Sequence, residues 1–334
     1  MTGGLGGGRR KSLAALGIGI ALVAASDTPH VVLVKDYPGE PVPTAIRFQS
    51  LEIKFGSGQV QLANGDTVDP AQWPAIVVAT LSKTSFCSAT IIGPSVLLTA
   101  AHCVDARNKL IPDATIPVSV EVGNLDLQSI ECKMHQNYAA APIPARKADP
   151  RSADDFALCE LNGKMPKSLT METLELEASL TKQEPVVLIG YGCTSAWVIG
   201  NSIEHGPSDE ALRIGDSNLH AVNVADTLVD AGTYVATRSE TKSQPYICPG
   251  DSGGPMMTHT SVEDTLQNDR RIAGVNSKLV ALAHDGHWDF YSLIAPSNQA
   301  GLGSFLTAWQ DSPVRAARKV CGKGIKPGDD NCRG

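Results

Sequence analysis

From about Trp73 onward, the apolar residues of this chain come in short runs separated by Gly, Pro, Asn or Asp, and that rhythm limits what it can fold into. The runs are Ala75–Leu81, Ala89–Ile92, Val96–Leu98, Val118–Val122, Phe156–Leu161, Val186–Ile189, Arg271–Val275 and Asp289–Ile294. Each suits one strand and is too short for a stable helix. Strands and helices do not alternate, so a parallel sheet is not expected. With 31 Gly and 21 Pro available for turns, the pattern predicts an antiparallel β sandwich or barrel. A length of 334 residues exceeds what one hydrophobic core usually serves, which suggests two cores or one core with additions. The clearest helix is late, from Leu302 to Lys319, where Leu302, Phe305, Leu306 and Trp309 recur at helical spacing.

The chain start predicts export. Arg9, Arg10 and Lys11 precede an apolar stretch from Leu13 to Ala25, and small residues follow. Residues 1–25 therefore read as a signal peptide. The apolar stretch is too short to span a bilayer, so no membrane partner is expected once it is removed. Residues 26–61 hold Pro38, Pro41 and Pro43 without periodicity and read as a propeptide or linker. Eight cysteines follow, an even number that in an exported chain reads as four disulfides. No two of them form a CxxC, so no metal site is expected. The net charge is −7 and no basic cluster could track a phosphate backbone, which argues against nucleic acid as a partner.

Three local segments carry the chemistry: LTAAHC (98–103), DDFALCEL (154–161) and CPGDSGGP (248–255). A serine hydroxyl such as Ser252 is a weak nucleophile until a base takes its proton. His102 suits that task because imidazole titrates near neutrality. A buried carboxylate such as Asp155 would hold one imidazole tautomer and stabilise its cation. Gly250 permits a turn that aims its own N–H and that of Ser252 at one developing oxyanion.

In this order the three segments resemble the signature segments of the chymotrypsin/trypsin-like serine endopeptidases. The resemblance covers roughly residues 62–318. It implies an all-β fold of two six-stranded antiparallel barrels, about 62–165 and 180–300, followed by the C-terminal helix and a tail at 319–334. His102 and Asp155 would come from the first barrel and Ser252 from the second. The resemblance implies a Cys87–Cys103 disulfide. It allows Cys132–Cys159, Cys193–Cys248 and Cys321–Cys332, with other pairings of those six still open. Ser277, in AGVNS, would line the substrate groove and could bond Asp155.

Two features depart from that pattern. In the family, a newly cut N-terminus pairs with the Asp before the catalytic Ser, here Asp251. The matching start would be Leu62, after Gln61, where Ile or Val is usual. The primary pocket also differs: Tyr246 stands at its floor position and would shorten it, while Asp289 replaces a usual Gly and could attract Lys or Arg. The implied protein is a secreted, extracellular or periplasmic, monomeric peptidase without cofactor. It would act on protein or peptide substrates and meet protein inhibitors. The alternative is a catalytically silent, protease-like binding protein.

Overall fold

The computed structural model describes Arg47–Gln49 and residues 62–333, except 81–85, 106–113, 117–128, 142–151, 163–169, 178, 200–201, 209–210, 225–233, 242, 264–268, 282–285, 295–301 and 311–317. The signal peptide, most of 26–61 and the run Val118–Val122 lie outside the described residues.

Short strands dominate. The first half holds β1 (Arg47–Gln49), β2 (Asp66–Thr67), β3 (Ile76–Thr80), β4 (Phe86–Gly93), β5 (Val96–Thr99), β6 (Ala114–Ile116), β7 (Ser129–Met134) and β8 (Ala157–Asn162). The second half holds β9 (Thr173–Leu174), β10 (Pro185–Gly190), β11 (Ala196–Ile199), β12 (Ser202–His205), β13 (Arg213–Val224), β14 (Tyr234–Ser239), β15 (Pro255–Thr258), β16 (Arg271–Ala281) and β17 (His287–Leu293). The tail adds β18 (Val320–Cys321) and β19 (Gly324–Ile325). The helices are α1 (Ala101–Val104), α2 (Gln136–Ala140) and α3 (Leu302–Gln310).

Two large sheets, antiparallel along their main paths, dominate the described residues. The first runs β1-β3-β4-β5-β8-β7-β6. The second runs β10-β15-β16-β17-β14-β13 and closes on itself because β10 also pairs with β13. The chain is thus all-β with a C-terminal helix, as the short apolar runs predict. β10 shows how its sequence is used. Val187 and Ile189 join the core shared with the first sheet, α3 and the tail. Val186 and Leu188 point the other way, into the second barrel. With both faces buried, the strand reads as one continuous apolar run.

Three boundaries differ from the sequence reading. Residues 62–67 belong with the second barrel: β2 pairs with β13, and Leu62 and Ala63 are buried in that barrel's core. β1, from the expected propeptide, adds to the β3 edge of the first sheet. The late helix is described only to Gln310, and Arg318 and Lys319 are not helical. β13 escaped the run pattern because two register shifts, between Leu219 and Val224, break its alternation.

A buried ion pair fastens the link between the sheets. Arg270 and Glu172 are both fully buried, joined through Arg270 Nε (2.9 Å) and a second, shorter contact from Nη2. The guanidinium also lies 3.6 Å from the centroid of the Trp73 ring and donates to Gln72 O (3.2 Å). The tail closes over the same place, with Arg333 N–H donating to Met171 O (2.8 Å) and Met171 N–H to Asn331 O (2.9 Å). Arg270→Met would strand the Glu172 charge and should cost about 3–5 kcal/mol in urea unfolding, whereas adding Glu172→Met should recover much of the loss.

Candidate active site

Strand register brings His102 and Asp155 together. β5 and β8 are antiparallel, with Thr99 opposite Ala157. His102 lies three residues beyond Thr99 and Asp155 two before Ala157, so both leave the same end of the pair. The Asp155 carboxylate is fully buried and takes three donors. Oδ1 accepts the His102 backbone N–H (2.8 Å). Oδ2 accepts His102 Nδ1–H (2.7 Å) and the Ser277 hydroxyl (2.6 Å). A carboxylate can only accept, so Nδ1 carries the proton and Nε2 the lone pair. The Asp155 backbone N–H donates to Ser292 Oγ (3.0 Å). Its neighbour Asp154 has a different job: Oδ2 accepts from Asn137 Nδ2 (2.8 Å) and lies 3.7 Å from His135 Nδ1. Of the two adjacent acids, Asp155 bonds His102, while Asp154 bonds Asn137 and faces His135.

Ser252 sits in a turn braced against that same strand end. Gly250 and Gly253 have φ of 104° and 83°, a region that side chains with a Cβ rarely occupy. Ser252 O accepts Ser88 N–H (2.7 Å), and Gly253 N–H donates to Asn276 O (2.8 Å). A Cβ on Gly253 would collide with Thr99 Oγ1 and Ser88 O and press on Ala100 N, so the turn packs against the residues just before His102. These backbone contacts hold the Ser252 turn against the strand end that leads to His102. Neither Gly250 nor Ser252 uses its N–H on another described residue. Cys87 and Cys103 also flank His102, but they are joined as a disulfide and offer no thiolate to a metal.

Asp251 is fully buried behind the turn. Its carboxylate accepts Gly192 N–H (2.6 Å) and Cys248 N–H (2.7 Å). Burial pushes its pKa up to about 7, against the lowering effect of those two N–H groups and of Arg213. A Cβ on Gly190 or Gly192 would overlap this carboxyl, so both glycines are required by close approach. The Cys193–Cys248 disulfide ties the GYG segment to the serine turn. Disulfides also join Cys87–Cys103, Cys132–Cys159 and Cys321–Cys332. Leu62 is 1% exposed and shares a cluster with Cys193, Ile247 and Cys248.

The two expected pocket residues both lie inside the second barrel. Tyr246 stacks on His287 at 3.8 Å between ring centroids, and its hydroxyl both receives Ala196 N–H (3.0 Å) and donates to Ala196 O (3.3 Å). Asp289 is fully buried; Oδ2 accepts the Thr237 hydroxyl (3.2 Å) and Oδ1 has no partner among the described residues. Burial raises its pKa well above the usual carboxylate range. Sequence reasoning missed Ser88, Asn276 and Arg213. Ser88 Oγ donates to Gly250 O (3.0 Å) and Asn276 Nδ2 to Asp251 O (3.0 Å), so both brace the serine turn. Isolated polar residues in apolar strands gave no signal beyond their own oddity.

Comparison with known proteins places the chain in a family. The family model described as Trypsin matches residues 62–299. Neutrophil elastase of Mus musculus is 26% identical over 208 residues, covering 61% of this chain and 70% of its own length. Granzyme M of Homo sapiens is 27% identical over 219 residues, covering 62% and 76%. Brachyurin of Leptuca pugilator is 25% identical over 210 residues, covering 58% and 80%. Among solved structures, a mutant of human heparin binding protein aligns with 75% of this chain and 96% of its own at 16% identity, with a TM-score of 0.47. With the family model matched over most of its length, the chain belongs to the trypsin-like serine protease family.

Proposed function

We propose that this protein is a secreted serine endopeptidase that hydrolyses peptide bonds in protein or peptide substrates through an acyl-enzyme. The observation that carries the reading is the buried Asp155 carboxylate, which fixes His102 through two N–H groups and leaves the lone pair on Nε2. Ser252 Oγ attacks the substrate carbonyl and its proton passes to His102 Nε2. The oxyanion that forms is held by the N–H groups of Gly250 and Ser252, which no other described group occupies. Collapse expels the amine, which takes the proton from His102, and water then releases the acid by the same steps in reverse. Asp155 stays ionised and stabilises the imidazolium; Ser277, bonded to the same oxygen, holds that carboxylate in place.

Export fits this chemistry. Residues 1–25 act as the signal peptide and 26–61 as a propeptide, so that the mature chain starts at Leu62. No described helix is long and apolar enough to cross a membrane. A fluorophosphonate probe should label the protein at Ser252 and should not label Ser252→Ala. His102→Ala should slow labelling and peptide cleavage by about a thousandfold or more. A protein that stays unlabelled after the prosegment is removed would be a silent relative.

Asp289 is proposed to select the substrate. Its unpartnered buried Oδ1 would gain a counter-ion from a Lys or Arg side chain preceding the cut bond, and its raised pKa would fall in that complex. Profiling cleavage on a peptide library should show a preference for Lys and Arg of at least about tenfold, which Asp289→Asn removes. Cleavage confined to apolar residues would take Asp289 out of the pocket.

A further inference from the structure

Strand pairing puts a second charged residue on the face that holds Asp251. In the β10–β13 pair, Gly190 lies directly opposite Arg213. Directly opposed residues of an antiparallel pair share one face of the sheet, with Cβ positions about 5 Å apart. The Cβ that Gly190 lacks would point into the Asp251 carboxyl. Arg213 therefore starts beside that carboxyl and on its side of the sheet. The guanidinium is held inside: Arg213 is 1% exposed and Nη1 donates to Ala211 O (3.2 Å). β2 covers the other edge of β13, with Thr67 opposite Arg213. All of this forms with the chain continuous into Leu62, which is already buried beside Cys248.

We infer that Arg213 supplies the positive charge opposite Asp251, so that the Ser252 turn is assembled before any cut at Leu62. Arg213 is thereby a positioning residue that acts through Asp251, and the inference rests on the peptidase reading above. Two backbone N–H groups satisfy the acceptor atoms of Asp251 but supply only partial charge. A full cation lowers the cost of an ionised carboxylate at complete burial further. Asp289 and Tyr291 also interact electrostatically with Asp251; both are buried and neither is cationic. Arg213 lowers the Asp251 pKa, and removing it should raise that pKa further from about 7. The sign follows directly. Protonating Asp251 weakens the two N–H bonds that hold the turn, so activity should fail on the acid side, and at higher pH without Arg213.

The test uses the full chain carrying Gln61→Pro, with its uncut N-terminus verified by mass, beside a chain that starts at Leu62. Fluorophosphonate labelling of the uncut chain should reach within about tenfold of the Leu62 form. In the uncut chain, Arg213→Met should lower labelling at pH 6.5 by roughly a hundredfold or more and shift the acid limb to higher pH. Arg213→Lys should restore labelling to within about tenfold. A Leu62 form that labels beside an uncut chain that does not would overturn the inference and leave the peptidase reading standing; so would Arg213→Met that labels normally. Failure of both forms to label would remove the peptidase reading, and the inference with it. If Arg213→Met does not fold, judged by its melting transition, the uncut wild type and Arg213→Lys decide.

Discussion

The Asp155 carboxylate is where the two sheets meet chemically. Its donors come from distant parts of the chain: the helix after β5, which carries His102, and strand β16 of the second barrel, which carries Ser277. Its own backbone N–H reaches β17 at Ser292. A fully buried carboxylate is tolerable only with such a set of partners. Removing any donor therefore affects both the site and the contact between the sheets. The rest of the architecture makes that convergence possible. β5 and β8 align the two first-sheet residues, and the packed core behind them prevents relaxation.

Asp251 meets the same physical difficulty in a different way. It too is fully buried, but its hydrogen bonds come from backbone N–H groups rather than from an imidazole and a hydroxyl. Backbone donors require backbone proximity, and that explains the glycines around it: any Cβ at Gly190 or Gly192 would take the space of the carboxylate. The Cys193–Cys248 disulfide joins the two segments that donate. The result is a rigid support under the Ser252 turn, with Ser88 and Asn276 as further struts. Such support matters because hydrogen-bond donors stabilise a developing charge only if they need no reorganisation when it appears.

Much of this was legible in the residues. Strands such as β3, β8 and β10 announce themselves because apolar side chains buried on one or both faces leave short runs between turn formers. The candidate triad could be read because each of its residues lies in a short segment whose neighbours are constrained as well. Gly250 and Gly253 show why: their backbone angles exclude other residue types. What could not be read depends on pairing rather than on local pattern. β13 has two register shifts, and Asp216 and Asn218 are exposed on it, so its alternation disappears. β2 is two residues long and gains its meaning only from Arg213 and Ile214 beside it. Asp154 and Asp155 are chemically identical in the sequence, and only His135 and Asn137 on one side and His102 on the other separate them.

The division of labour between the sheets follows from these contacts. The first sheet presents His102 and Asp155 from one strand pair, so their mutual geometry depends on a single register and survives small shifts elsewhere. The second barrel presents the Ser252 turn, Ser277, Asp251 and Asp289, and its closure through β10 and β13 places their supporting strands in one ring. Ser252 is bonded to the first sheet through Ser88, which sits on β4, and not only to its own barrel. The Ser252 turn is thus held by both halves at once. Shear between them would break the Ser88 hydrogen bonds and the Ser277–Asp155 bond together. The Arg270–Glu172 pair and the disulfide-closed tail oppose that same shear from the far side. A site split between a sheet and a closed barrel can hold atomic geometry because the polar contacts across the split are buried and mutually dependent.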